Sequence, residues 1–489
     1  MTSSAATLLR RWAGAAVPAA GASAGWTQLG LALKYGVAGG LRARSPLVAR
    51  RCAGLLGRER ADPALHRARA EALLARTLRA ARRIPAHAGA AARAPASDLL
   101  AWLSREVPIM DKASLKTQRE TYYPNRGRRL PWWPLGESSG STGSPTEVFR
   151  SLDSILWEEA FHRQHWRWAG VHAAERQAVL RGDRVKPLED REPPYWLEDR
   201  VGRQLVLSTR HLDERTARDF AEAIARFGAV QLRAYPSAAY ALAAALEGRR
   251  PRTRLWSVIT GSEMLYPFQR AKIEAALGAR VYSFYGMSER AVFAAECEHA
   301  RMHVNPEYSI VEIVDERGRP TDDEGFLVGT TLRNDAMPLL RYRLTDTARW
   351  DRRPCPCGRT YPVIEALSGK IEDRVYDLRG RPITAAVVGF AYKGLLNIRK
   401  GQIAQTARDR WVARLVPGPE YGAADAERFL ANVRTHVSAE VNVAIELVDD
   451  IPALPSGKYK WVSQEWRGAP SAPAREAIQP APARVPDLV

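Results

Sequence analysis

The strongest chemical signal in the sequence is a nine-residue stretch built from hydroxyl-bearing residues and glycine, SSGSTGSPT from Ser138 to Thr146. Backbone N–H groups beside glycine and the hydroxyls of serine and threonine can surround phosphate oxygens. The stretch is not a Walker loop, because no lysine follows its second glycine. Its composition is also that of a flexible linker, so the residues alone leave both interpretations open.

Three further segments place a charged or aromatic residue in the loop that follows an apolar stretch. The run SFYGMSE ends at Glu289, which could bind Mg²⁺, and its Tyr285 could stack on a base. The run RYRLTD ends at Asp346, whose carboxylate could accept hydrogen bonds from two ribose hydroxyls. The run LPSGK ends at Lys458, one of only 10 lysines in a chain with 63 arginines, and could reach an anionic substrate. An ordinary turn after a strand is the alternative interpretation of the first run.

Three of the 4 cysteines and one histidine form a candidate metal site. Cys297, His303, Cys355 and Cys357 make a set of three thiolates and one imidazole, which is a normal donor set for structural Zn²⁺. The spacing, CxxxxxH and then a distant CxC, differs from that of a standard zinc finger. His299 is a competing fourth ligand, and three free thiols in a reduced cytoplasm are the alternative without a metal.

Composition and charge exclude several classes of protein. The chain has 489 residues, 46% of them hydrophobic, so it can bury a large core and is neither disordered nor fibrous. No apolar run approaches the roughly 20 residues of a transmembrane helix. The 4 cysteines are too few for a disulfide scaffold of this size, which favours a cytoplasmic location. The net charge is +19, but the arginines are scattered, so we expect no specific nucleic-acid partner.

The pattern of elements predicts an α/β protein. Strands and helices alternate between residues 178 and 295, as in the strand Trp256–Thr260 and the helix Tyr266–Leu277. From Tyr308 the pattern of predicted elements changes. Short strands such as Ser309–Val314 and Leu340–Tyr342 predict a more antiparallel, β-rich subdomain. Beyond a polar, glycine-bounded segment, further strands and one helix predict a small α+β domain.

Taken together, the ordered motifs resemble those of one enzyme superfamily. The segments SSGSTGSPT, ITGSE, YGMSE, TLRNDAMPLLRYRLTD and LPSGK are similar to the motifs of adenylate-forming acyl-CoA synthetases. The segments Val107–Lys112 and Cys355–Arg359 resemble the phenylacetate–CoA ligase-like branch, which includes CapK-like proteins of polysaccharide loci. Members of this branch carry a similar Cys/His arrangement, which favours zinc. The resemblance covers roughly residues 65–462.

The resemblance implies a domain organisation with a large N-terminal adenylate-forming domain and a small α+β lid. The large domain has layered sheets and a β-rich subdomain. The expected segments are a poorly defined N-terminal part (1–60), the ATP- and acyl-binding domain (61–368), the mobile C-terminal lid (369–467) and a disordered tail rich in proline and alanine (468–489).

The resemblance also implies the two-step reaction of an AMP-forming acid–thiol ligase. The carboxylate of a small-molecule acid attacks the α-phosphate of ATP, which gives an acyl-adenylate and pyrophosphate. A thiol, usually that of CoA, then displaces AMP. Mg²⁺ and a lysine neutralise the charge that accumulates as a carboxylate meets the phosphates. The acid, the oligomeric state and the choice among CoA, a carrier protein and a sugar amine as acceptor stay open.

Site residues follow from the resemblance position by position. Lys458 is expected to contact the carboxylate and α-phosphate during adenylation, Glu289 to help bind Mg²⁺, and Glu372 to act as the hinge. The residues implied in ATP binding are Ser138, Ser139, Gly140, Ser141, Thr142, Gly143, Tyr285, Gly286, Met287, Ser288, Asp346 and Lys370. The residues expected to border the acid pocket are Tyr235, Ser237, Gly261 and Ser262.

One departure from the family pattern concerns the junction between the two domains. The family has Gly-Arg-x-Asp-Asp there, whereas this chain has GKIED at Gly369–Asp373. Lys370 keeps the positive charge but loses the bidentate fork of arginine, and Glu372 keeps the charge at the hinge. The altered junction favours an alternative, a catalytically weak adenylate-fold protein that binds nucleotide or partners in polysaccharide biosynthesis. The retained Glu289 and Lys458 oppose it.

Overall fold

The structure, a computed structural model, divides into two compact units. The first contains the described residues of Trp166–Ser283 and Glu372–Pro470, and the second contains those of Leu47–His165 and Phe284–Ile371. The described residues are 45–466 without 138–146, 173, 182, 184, 187–189, 200–201, 214, 247–253, 369–374, 381, 384–387, 393–394, 396 and 453–459.

Helices and strands alternate along much of the chain. The helices are α1 (Pro46–Arg58), α2 (Pro63–Ala81), α3 (Pro85–Ala92), α4 (Leu99–Glu106), α5 (Lys112–Thr117), α6 (Arg119–Tyr122), α7 (Leu152–Trp168), α8 (Ala217–Phe227), α9 (Pro236–Ala245), α10 (Pro267–Leu277) and α11 (Ala423–Asn432). The strands up to residue 304 are β1 (Met110–Asp111), β2 (Leu135–Glu137), β3 (Glu147–Phe149), β4 (Gln177–Leu180), β5 (Trp196–Asp199), β6 (Gln204–Leu207), β7 (Gln231–Ala234), β8 (Ser257–Gly261), β9 (Arg280–Gly286), β10 (Phe293–Glu296) and β11 (Met302–Val304). The later strands are β12 (Ser309–Val314), β13 (Gly325–Thr331), β14 (Tyr342–Asp351), β15 (Val363–Ser368), β16 (Val375–Tyr376), β17 (Pro382–Ile383), β18 (Ile398–Gln405), β19 (Arg410–Pro417), β20 (Asn442–Leu447) and β21 (Val462–Gln464). Among the described helices, none combines the length and the apolar character that a membrane crossing requires.

The first unit is built on parallel strands covered by helices. β4 lies between β6 and β7, β8 follows β7, and all these pairs are parallel, while β5 is antiparallel at the edge. β4 and β8 are buried along their whole length, as expected for strands covered on both faces. Helices α8 and α10 end at Gly228 and Gly278, whose positive φ angles suit a glycine cap. The α/β layering expected from the sequence is confirmed here.

The C-terminal elements contribute to the core of the same unit. They form a sheet in the order β20-β19-β18-β21. An aromatic cluster joins this region to α9 and α10: the Trp461 and Phe268 ring centroids lie 5.0 Å apart, and those of Tyr392 and Phe268 lie 5.4 Å apart. The hydroxyl of Tyr240 donates to the carbonyl of Ile398 at 3.1 Å.

The second unit is mainly antiparallel. Its strands lie in the order β9-β10-β11-β15-β14-β13-β12, and β1 pairs in parallel with β14. The β-rich region expected after Tyr308 is therefore confirmed. The predicted strand Leu340–Tyr342 was wrong in its bounds, because β14 begins at Tyr342 and continues to Asp351. Arg341 has a φ of +46°, a left-handed conformation that a strand does not allow.

Within the second unit, Glu307 connects the N-terminal helices to the β-rich region. Its side chain has no solvent exposure and accepts hydrogen bonds from Arg58 on α1 at 2.8 Å and Arg69 on α2 at 3.2 Å. Arg333, which follows β13, donates to the same carboxylate at 3.0 Å. Burial opposes the charge of Glu307, but the three guanidiniums outweigh it and hold the pKa of Glu307 below its ordinary value.

We predict that Glu307→Gln lowers the free energy of unfolding at neutral pH by about 3–5 kcal/mol, because three guanidiniums lose their charged partner. Urea denaturation measures this change. Since the pKa of Glu307 is lowered, its stabilisation is present above the pKa of the unfolded glutamate and is lost as pH falls through the lowered pKa. The control is Glu222→Gln, which breaks an exposed pair with Arg218 and should cost below about 0.5 kcal/mol. Equal losses in the two variants would contradict the anchoring role.

Candidate functional site

Tyr285 and Asp346, which the sequence places in separate motifs, lie in contact in the second unit. Tyr285 is near the end of β9, and its hydroxyl donates to Oδ2 of Asp346 on β14 at 2.7 Å. Burial and the nearby carboxylate raise the pKa of Tyr285 well above its ordinary value, so the phenol stays neutral and remains a donor. A carboxylate has about four acceptor positions, and the bond from Tyr285 takes one of them and orients the side chain of Asp346.

The loop between β9 and β10 carries the other residues of the YGMSE motif. The N–H of Arg290 donates to the carbonyl of Met287 at 3.0 Å and closes a tight turn after Gly286. Glu289 is only 6% exposed, and Tyr342 donates to its Oε1 at 3.4 Å. Burial raises the pKa of Tyr342 well above its ordinary value, which keeps this hydroxyl protonated. The turn therefore places Glu289 beside β14, the strand that carries Asp346.

A buried ion pair sets the position of β14. Arg341, one residue before this strand, donates to both carboxylate oxygens of Glu312 on β12 at 3.0 and 2.9 Å, and the two side chains are 6% and 2% exposed. Its remaining terminal nitrogen donates to the carbonyls of Ser104 and Val107 at the end of α4. The start of β14 is thus tied to both β12 and α4.

The hydroxyl- and glycine-rich stretch connects two paired strands. Glu137 and Glu147, at its two ends, are cross-strand partners of β2 and β3. The base of this hairpin is held by Asn334, whose amide donates to the carbonyl of Phe149 at 2.8 Å. The stretch itself, with the predicted residues Ser138, Ser139, Gly140, Ser141, Thr142 and Gly143, lies outside the described residues.

Three other predicted site residues, Lys370, Glu372 and Lys458, also lie outside the described residues. Two residues beyond Lys458, the carbonyl of Lys460 accepts a hydrogen bond from Gln402 on β18 at 3.1 Å. The backbone that follows the LPSGK motif is thus fixed to the C-terminal sheet.

The predicted acid-pocket residues follow adjacent parallel strands of the first unit. Tyr235 and Ser237 come after β7, while Gly261 ends β8 and Ser262 follows it. Because these strands are parallel neighbours, their carboxyl ends meet at one edge, where open α/β sheets bind ligands.

Arg181 joins this group, and the sequence analysis did not identify it. It directly follows β4, and its guanidinium donates to the hydroxyl of Ser262 at 2.7 Å and lies 5.4 Å from the centre of the Tyr235 ring. Ser262 has a φ of +70°, which is uncommon for a residue other than glycine. An arginine that ends an apolar strand was the available signal, but only the sheet order shows which strands adjoin it.

The four predicted metal ligands come together in the second unit. One donor atom from each of Cys297, His303, Cys355 and Cys357 lies within 4.8 Å of the other three. The Cys297 and Cys355 sulfurs are 3.6 Å apart, and Nε2 of His303 is 3.4 Å from the Cys357 sulfur. A tetrahedral ion with Zn–S bonds of about 2.3 Å separates two sulfurs by about 3.8 Å. The donor set and its spacing therefore fit zinc.

The surroundings of this cluster orient its ligands. Nδ1 of His303 lies 3.2 Å from the carbonyl of Tyr361, and a proton on Nδ1 leaves Nε2 facing the thiols. The N–H groups of His299 and Arg359 donate to the Cys297 and Cys357 sulfurs. His299 thus contacts the cluster through its backbone, and the cluster contains His303 as its imidazole.

Comparisons with known proteins agree with this fold. Residues 375–465 match the family described as the CapK C-terminal domain. Protein CapK of Staphylococcus aureus is 20% identical over 336 residues, which cover 66% of this chain and 72% of CapK. A phenylacetate-coenzyme A ligase of Thermus thermophilus is 32% identical over 122 residues, or 24% of this chain and 27% of the ligase.

One solved structure is similar to this chain over most of its length. The crystal structure of 2-hydroxyisobutyryl-CoA ligase in the postadenylation state, in complex with R3-HIB-AMP, has a TM-score of 0.62 and 19% identity. The alignment covers 87% of this chain and 91% of that ligase. The expected resemblance to adenylate-forming ligases of the phenylacetate–CoA ligase and CapK type, and the expected fold class, are confirmed.

We predict that Arg341→Met lowers the free energy of unfolding by about 3–5 kcal/mol, because it leaves the carboxylate of Glu312 buried without its partner. Urea denaturation measures the loss. Arg319→Met is the control, since Arg319 pairs with Asp315 while half exposed and should contribute about 1 kcal/mol or less. A loss in Arg341→Met no larger than in the control would show that β14 does not depend on this pair.

Proposed function

We propose that this protein, which has the adenylate-forming ligase fold and a C-terminal region matching that of CapK, activates a carboxylic acid with ATP. In this reaction the acid carboxylate attacks the α-phosphate, the bond to the β-phosphate breaks, and an acyl-adenylate and pyrophosphate form. A thiol, that of CoA or of a carrier protein, or an amine then attacks the acyl carbon and releases AMP.

The contact between Tyr285 and Asp346 carries this proposal. Two residues assigned to nucleotide binding from motifs 61 positions apart form one hydrogen-bonded pair. The aromatic ring offers a face for the adenine base, and the carboxylate offers acceptors for the ribose hydroxyls. The nearby strand β14 also contributes Tyr342, which contacts Glu289. The residues proposed for the nucleoside and the residue proposed for the Mg²⁺ of the phosphates therefore lie next to the same strand, β14.

The remaining roles follow from the chemistry of adenylation. Glu289 supplies carboxylate oxygens, the ligands that Mg²⁺ prefers, and a bound Mg²⁺ would neutralise phosphate charge. Lys458 stabilises negative charge on the α-phosphate as the carboxylate approaches. The acid lies at the strand ends that carry Tyr235 and Ser262, where Arg181 supplies an N–H donor. A cytoplasmic location fits this use of ATP and CoA.

A second candidate function is a nucleotide- or partner-binding module without efficient catalysis. The matched CapK C-terminal region and the junction residues Lys370 and Glu372 favour it. The two candidates differ in one measurable property, since the binding module holds ATP without acid-dependent exchange of pyrophosphate.

We also propose that Cys297, His303, Cys355 and Cys357 bind one structural Zn²⁺. Four protein donors close the coordination sphere, which distinguishes a structural site from a catalytic one. The cluster connects β10, β11 and the segment between β14 and β15, so the ion would stabilise the β-rich part of the second unit.

We expect Lys458→Ala to lower acid-dependent pyrophosphate exchange by a factor on the order of 10²–10³, as the loss of one charge-stabilising donor does. Transfer from a supplied acyl-adenylate to the acceptor should change little. The matched control is Lys460→Ala, two residues away, which should keep most of the exchange. The assay is a screen of aryl, fatty, hydroxy and amino acids, each with and without CoA.

Two results would contradict this assignment. An essential Lys460 beside a dispensable Lys458 would mean that the C-terminal motif is aligned wrongly. If the wild-type protein binds ATP but shows no pyrophosphate exchange with any of the acids in the screen, the binding-module function is supported instead.

For the zinc site, we predict one equivalent of zinc in protein purified without chelator and its loss in the Cys355→Ser, Cys357→Ser double variant. Since binding energy of a structural metal contributes to folding, the double variant should also melt at a lower temperature. The control is Cys52→Ser, which alters a buried cysteine on α1 outside the cluster. Elemental analysis that finds well below one equivalent in the wild-type protein would rule out the site.

A further inference from the structure

Arg150 contacts both the β2–β3 hairpin and the loop that carries the YGMSE motif. It directly follows β3, and its N–H donates to the carbonyl of Pro134, just before β2. Its guanidinium donates to the carbonyl of Ser288, in the YGMSE loop, at 2.7 Å. The same guanidinium packs flat against Gly136, where a Cβ atom would approach it to 2.2 Å. One side chain thus connects the β2–β3 hairpin to the loop that carries Glu289.

The charge of Arg150 is incompletely compensated. Its Nε is buried without a hydrogen-bond partner among the residues that the structure describes, and none of the described carboxylates forms a salt bridge with it. Burial and the repulsion of Arg290 lower the pKa of Arg150 to about 10, so it remains a cation at neutral pH. Two carboxylates, Glu158 and Glu289, act on Arg150 without forming a salt bridge to it. Glu158 pairs with Arg290 at 3.4 Å, and Glu289 accepts a hydrogen bond from Tyr342. A largely buried cation of this kind is stabilised by an anion, and the described residues do not provide one in contact with it.

The position of Arg150 indicates which part of the nucleotide it meets. Tyr285 and Asp346 suit the nucleoside, as argued above. The carbonyl of Ser288 that accepts from Arg150 directly precedes Glu289, the residue proposed to bind the Mg²⁺ that accompanies phosphate groups. Arginine also matches phosphate geometry through two parallel N–H donors.

We propose that Arg150 binds the β- and γ-phosphates of ATP, the part that leaves as pyrophosphate. This inference rests on the proposed function. When the bond between the α- and β-phosphates breaks, its electron pair stays with the leaving pyrophosphate, and the guanidinium stabilises that charge.

The test compares the binding of ATP, pyrophosphate and AMP to the full-length protein by isothermal titration calorimetry with Mg²⁺ present. Arg150→Met should weaken ATP and pyrophosphate by about 10- to 100-fold, as the loss of charge-assisted hydrogen bonds does, and leave AMP within about twofold. Arg150→Lys should give an intermediate loss, because lysine keeps the charge without the fork. The matched control is Arg119→Met, which removes a salt bridge to Glu147 on the same hairpin and should change none of the three affinities.

A second variant tests the same contact without altering Arg150. Gly136→Ala places a methyl group where the guanidinium packs, so it should displace Arg150 and weaken ATP and pyrophosphate but not AMP. This variant and Arg150→Lys keep the test valid if Arg150→Met does not fold. Equal weakening of AMP and ATP, or no weakening of either, in variants that melt like the wild type would overturn the inference. If the wild-type protein itself binds neither ATP nor pyrophosphate, the proposed function fails together with it.

Discussion

The buried pair of Arg341 and Glu312 is the interaction on which the candidate nucleotide site depends. It forms directly before β14, at a residue whose left-handed φ would be costly in isolation, so the surrounding contacts must stabilise it. The guanidinium donates hydrogen bonds to the carboxylate of Glu312 and to two carbonyls at the end of α4. The start of β14 is therefore held in place, and Asp346, five residues after Arg341, accepts a hydrogen bond from Tyr285. The left-handed conformation at Arg341, held by its ion pair, thus contributes to the positions of Asp346 and Tyr285.

In the second unit, buried charged side chains pair with groups of opposite charge, whereas Arg150 forms no salt bridge with a described carboxylate. Glu307 has three guanidinium partners, and Glu158 keeps a pKa of about 2 in spite of burial because Arg290, His162 and Tyr308 contact it. Such networks place charge inside the protein without leaving it unpaired. This pairing also gives many arginines of a basic chain a structural role, which lessens the need for a nucleic-acid partner to explain the charge. Against that background, a buried guanidinium nitrogen that has no partner among the described residues suits a site for an anionic ligand.

The sequence predicted those site residues that belong to short motifs, and it missed those whose role depends on partners distant along the chain. Tyr285 and Asp346 were each proposed for nucleotide binding from a short run, because their chemistry is visible there, and the fold brings the two side chains into contact. The four candidate metal ligands were also predicted as one set, and the fold brings the imidazole of His303 to the three thiols. Arg150 and Arg181 were missed among 63 arginines, because their significance lies in partners brought near only by the fold. The wrong bounds of β14 have the same origin, since tertiary contacts hold the conformation of Arg341.

The two cations of the proposed reaction differ in how they are held, and this difference sets what each can contribute. Arg150 is fixed by the carbonyl of Ser288 before any ligand arrives. In the proposed reaction it therefore binds the phosphates of ATP and also stabilises the charge that grows on the leaving pyrophosphate, without having to move. Lys458 belongs to the C-terminal region, and in the proposed reaction it meets charge that develops only as the carboxylate attacks. Arginine suits the first task because its rigid fork loses little freedom, whereas the second needs a single charge on a flexible stem. The scarcity of lysine in this chain is therefore consistent with one lysine kept for the step in which arginine would serve less well.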